Sequence, residues 1–63
     1  MNTPIIAYHA KSELRGWHEV RRESADWPGW NNIDKGMIDH LMSTGDSDVT
    51  LGWNMYQVII DKK

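Results

Sequence analysis

The side chains best suited to chemistry in this chain are three histidines, a run of basic residues and four tryptophans. His9, His18 and His40 are spaced so that no two are aimed together on one helix or strand. Asp39 and His40 are adjacent, which on a helix turns them about 100° apart and prevents a dyad. No HExxH, glycine-rich phosphate loop or GxSxG elbow occurs. A core this small also supports a precisely held site only with difficulty. The chain therefore predicts no catalytic residue, no metal site and no cofactor, and its expected role is not that of an enzyme.

The basic residues are more suggestive. On a helix over residues 11–25, Lys11, Arg15, His18 and Arg22 fall within about 60° of one another along about 16 Å of axis. Such a row could follow a phosphate backbone while indoles stack on unpaired bases, which gives the nucleic-acid alternative its candidate face. Glu13, Glu19 and Glu23 share the segment, and Glu19 is spaced to pair with Arg15 or Arg22. The chain carries seven Lys and Arg against nine Asp and Glu, a net charge of −2. That is far from the strongly basic balance of a typical nucleic-acid-binding domain. The bland expectation for this face is solvated salt bridges.

The tryptophans divide by context. Trp27-Pro28-Gly29-Trp30 breaks all periodicity, and Pro-Gly suits the centre of a type II turn that would bring the flanking rings together. Trp and Arg are the residue types most enriched at binding hot spots. Trp27 and Trp30 are thus the expected partner-binding anchors, with Arg15 and Arg22 as their polar rim. Trp17 and Trp53 are expected in the core.

The elements that must position these groups follow from local pattern. Pro4 to Ala10 reads as a strand on β-branched Ile5 and Ile6. Residues 11–25 read as a helix capped by Ser12, with Ala10, Leu14, Trp17, Val20 and Ser24 on one arc, although Gly16 opposes helix by about 1 kcal/mol. A second helix is expected from about Ile33 to Ser43, capped by Asn32, favoured by Asp34 in its first turn and stopped by Gly45. Residues 48–60 read as β. One long strand with a bulge at Gly52 is preferred over a hairpin turning at Gly52-Trp53-Asn54. The expected fold is α+β: two helices packed on a small antiparallel sheet of two or three strands, in the order strand-helix-helix-strand. A helix over residues 5–25 is the structural rival.

At 63 residues the chain is long enough for one small domain, residues 1–63, with about 60% of its unfolded surface buried. Without cysteine it has neither disulfides nor thiolate-held zinc, so dense packing, self-association or a partner must firm the fold. A two-stranded sheet is marginal alone, which makes edge pairing in a homodimer an expectation. The longest apolar run, Ile5-Ile6-Ala7-Tyr8, is too short to span a bilayer, and a cytoplasmic setting is the default. The function these features favour is a non-enzymatic protein-interaction module that modulates or inhibits a larger partner protein. Regulators encoded by phages and other mobile elements share this size class.

Overall fold

The computed structural model of the protein describes residues 3–53 and 55–61. Asn54, in the expected turn, and the terminal Lys62 and Lys63, expected in water, lie outside them. The chain forms β1 (Ile5–Ser12), β2 (Gly16–Ser24), α1 (Asn32–Thr44), β3 (Asp48–Leu51) and β4 (Tyr56–Asp61). The strands make one antiparallel sheet in the order β2-β1-β4-β3. One helix on a four-stranded sheet replaces the expected two helices on two or three strands.

The correction falls on residues 11–25. They are the end of β1, a tight reversal, and all of β2. The Ser12 hydroxyl accepts from the Arg15 amide at 3.1 Å, which is the bond a helix N-cap makes. Here it closes a turn instead, because Gly16 follows in a left-handed conformation (φ 64°) that reverses the chain. The proposed apolar arc had nothing to bury itself against: Leu14 is 98% exposed, and Trp17 and Val20 also face solvent. β1 pairs with β2 from Ile5↔Ser24 to Ser12↔Gly16, with a bulge that leaves Val20 without a partner.

β1 is a central strand, paired on its other side with β4 as Ile6↔Ile60, Tyr8↔Val58 and Ala10↔Tyr56. Strand alternation sends these residues to one face, where Val49 of β3 joins them opposite Val58. α1 covers that face with Met37, Ile38 and Leu41, which with Ile6, Trp30 and Val58 form the buried core. The rings of Tyr8 and Tyr56 stack in this layer, 6.0 Å apart. α1 begins one residue earlier than expected: Asn31 is the N-cap, its side chain accepting from the Asp34 amide at 2.8 Å. Gly45 ends it, donating its amide to Leu41.

Residues 48–60 form the hairpin rather than the preferred long strand. Gly52 and Trp53 both have positive φ (66° and 55°), and the Met55 amide donates to the Gly52 carbonyl at 2.8 Å. Two successive left-handed residues turn the chain back, which accounts for the change of apolar parity between Met55 and Tyr56. With four strands supplied by one chain, a second copy is no longer needed to complete the sheet. Because β1 and β4 run antiparallel, both hairpin turns lie at the same end, joined by a hydrogen bond from the Lys11 amide to the Met55 carbonyl at 2.9 Å. The molecule measures 39 × 21 × 19 Å, and these turns lie toward one end of the sheet.

Candidate interaction surface

The tryptophans are sorted opposite to expectation. Trp30 is 4% exposed, in the core, with its indole N–H donating to the Ser24 carbonyl at 2.9 Å. Trp27 is half-buried and meets Trp30 edge-on, ring centroids 5.2 Å apart. The Arg21 guanidinium sits 4.6 Å from the centre of the Trp27 ring, within cation–π range. The rings do come together, as the Pro28-Gly29 turn implied, but Gly29 lacks the positive φ of a type II turn. It is needed for another reason: a Cβ there would collide with the folded-back Trp27 ring. A cleft of about 300 Å³ beside Trp27, Pro28 and Trp30 is bordered by Lys35 and Asp39.

The four expected contact residues are therefore not one surface. Arg15 stands in the β1–β2 turn, while Trp27 and Trp30 follow the far end of β2. Arg22 is already engaged, donating to Asp61 at 2.8 Å and to Glu19 at 2.9 Å across the face of the sheet opposite α1. Those two carboxylates hold its guanidinium pKa above the usual value, the Glu19 hydrogen bond contributing most. The nucleic-acid row also comes apart. Lys11 pairs with Trp17 and Arg22 with Ala7 on the open face, whereas His18 pairs with Ala10 on the helix-covered face. A 180° alternation has replaced the 100° step that aligned them.

The histidines stay apart. His9 lies in β1, His18 bonds through Nδ1 to the Gly16 carbonyl at 3.0 Å, and His40 on α1 pairs with Asp46 at 3.1 Å. Among the described residues no group of three or more His, Asp or Glu is placed to hold a metal ion. Two ionisable groups are shifted by burial, the buried Asp34 and the half-buried Tyr8. Burial raises the Asp34 carboxyl above the ordinary carboxylate range, partly opposed by a hydrogen bond with the Asn31 backbone. Burial, then the nearby Asp34 charge and Tyr56, push the Tyr8 hydroxyl up to about 12.

The end carrying the two turns is what the sequence reading missed. Trp53 is 96% exposed there, beside half-exposed Leu51 and Met55. Leu14 heads the neighbouring turn and Trp17 sits just behind it, 41% exposed. A groove of about 250 Å³ between the turns is lined by Lys11, Ser12, Glu13 and Met55. A second, of about 370 Å³, runs between α1 and β3 past Ile33, Gly36 and Val49 and reaches Leu51. The apolar surface is thus nearly continuous from helix to turn. Single exposed apolar residues are ordinary, but several grouped at one end make it the candidate interaction surface. The signal in the sequence was Gly52 before Trp53 and Gly16 after Leu14: both glycines reverse the chain and leave the large residue at the tip.

The fold is a four-stranded antiparallel sheet with one covering helix, and the candidate surface is built on its two hairpin turns. Comparison with protein-family models, with curated proteins and with solved structures found no match to this chain. Among the described residues no helix is long and apolar enough to cross a membrane.

Proposed function

We propose that the protein is a small, non-enzymatic interaction module that binds a larger protein and modulates or inhibits it, using the end that carries the hairpin turns. The observation that supports this most is Trp53. A bulky residue in the left-handed region is unfavourable by roughly 1–2 kcal/mol, and this one also places a whole indole in water. Among the described residues no ring contact offsets either, whereas an exposed indole is well suited to being desolvated by a partner. Arg15, in the adjacent turn, keeps its expected role as polar rim. Trp27 and Trp30 act indirectly in this reading, by holding the sheet and helix rigid. A cytoplasmic setting and the regulator type common among mobile elements complete the proposal.

The test is affinity capture from native host extract with the wild-type chain and with Trp53→Ala, both checked for folding by circular dichroism. Proteins retained by the wild type and lost with folded Trp53→Ala support the reading. Equal retention by both chains removes it. The nucleic-acid alternative draws on the same end, where Lys11 and Arg15 stand near Trp17 and Trp53, and it gives the next experiment one of its arms.

A further inference from the structure

The turn-bearing end differs in charge from the rest of the molecule. Residues 11–17 and 51–56 contain Lys11 and Arg15 against the single acid Glu13. Elsewhere among the described residues, Arg21, Arg22 and Lys35 stand against eight Asp and Glu. Of the bases elsewhere, Arg21 and Arg22 are engaged, whereas Lys35 makes no ion pair among the described residues and lines a cleft shared with Asp26 and Asp39. Arg21 is paired with Glu23 and covers Trp27, and Arg22 is held by Glu19 and Asp61. Lys11 and Arg15 make no ion pair among the described residues. Lys11 forms one wall of the groove between the turns, with Met55 beside it, and its register partner Trp17 flanks it on the open face.

Resting on the interaction-module reading, we propose that this groove and the Trp53 indole receive an acidic polypeptide segment carrying a large apolar side chain. The groove of about 250 Å³ has room for one such side chain, which Met55 and the stem of Lys11 would contact. Carboxylates on the segment would face the Lys11 ammonium and the Arg15 guanidinium, the uncommitted cations at this end. The acidic balance of the other described residues opposes the same segment, which favours this end. The apolar residues distinguish a polypeptide from a nucleic acid. Leu14, Leu51 and Met55 offer aliphatic surface, which suits side chains, and only Trp17 and Trp53 offer stacking planes. Two free cations beside Glu13 also match a few carboxylates better than a continuous run of phosphates.

Selection from a displayed library of random short peptides, with the intact chain as bait, tests this directly. The enriched peptides are expected to be net acidic with at least one Leu, Phe or Trp. Their dissociation constants should rise at least about tenfold with Trp53→Ala, the size of a hot-spot loss. The double variant Lys11→Glu, Arg15→Glu should weaken them by about tenfold as well. Affinity should also fall as salt rises from about 0.01 M to about 0.15 M, where the screening length shrinks from about 30 to about 8 Å. All variants are first confirmed folded by circular dichroism; Leu14→Ala substitutes for any that is not. Enriched peptides that are neutral or basic, yet still need Trp53, overturn the acidic partner and leave the interaction module standing. Peptides indifferent to Trp53 and Leu14, or no enrichment at all, overturn both. Tighter binding of single-stranded oligo-dT than of any peptide, lost with Trp53→Ala, overturns the polypeptide in favour of a nucleic acid.

Discussion

The two ends of this sheet use the same residue types for opposite purposes. At one end Trp27 and Trp30 close against each other, with one indole N–H satisfied by Ser24 and one ring capped by Arg21. At the other, Trp53 and Leu14 stand in water on left-handed or glycine-bounded turns. A tryptophan's fate here depends on where the chain reverses. Trp27 folds back over Gly29 and finds its neighbour, whereas Trp53 occupies the reversal itself and is left in solvent. In a chain without cysteine, the sealed end supplies packing that the open end does not.

Substitutions at the sealed end should therefore cost stability, and those at the open end should not. The largest effect is expected for Trp30→Ala, which empties the core and removes the Ser24 bond. A loss of about 3–5 kcal/mol is enough to unfold most of the population of so small a domain. Urea denaturation followed by circular dichroism measures it, and a cooperative transition near the wild-type midpoint would break the comparison. Gly29→Ala should lose about 1–3 kcal/mol, because its methyl group displaces the Trp27 ring. Loss of the near-ultraviolet dichroism of the edge-on indole pair should accompany it. Trp53→Gly has the opposite sign. Releasing the left-handed strain should raise stability by about 0.5–1 kcal/mol, seen as a higher melting temperature, and a marked decrease would make Trp53 structural.

The smallest effect is a pH dependence from Asp34 in the core. Its carboxyl is raised above the unfolded value by burial, so the folded state holds its proton more tightly than the unfolded chain does. Its contribution to stability should improve as pH falls through the raised value toward the ordinary carboxylate range, and fade as pH rises. Denaturation midpoints across that interval check it, and in Asp34→Asn this component should vanish.

Part of this was legible in the chain. Helix α1 declared itself through Asp34 in its first turn and Gly45 at its end. The β character of residues 48–60 was equally plain, although its reversal was hidden because Trp53 is an unusual residue to find with positive φ. The β1–β2 hairpin was not legible. A Ser three residues before a free amide begins a helix or closes a turn with the same hydrogen bond, and only tertiary pairing decides. Gly16 was the honest sign against helix. The tryptophans could not be sorted without that hairpin, since Trp17 leaves the core once its segment becomes an outer strand. The turn-bearing surface was invisible for the same reason: its residues are distant in sequence and meet only because β1 and β4 pair.

That pairing also governs how the protein must fold. β1 with β2 is one local hairpin, and α1, β3 and β4 form a second local unit. The β1–β4 ladder, with Ile6 against Ile60 and Tyr8 against Val58, joins the two ends of the described chain. Closing that long loop is the slow, entropically opposed event, and the two local units can form before it. The protein is therefore two quickly made pieces and one late seam, with the candidate surface assembled only when the seam closes.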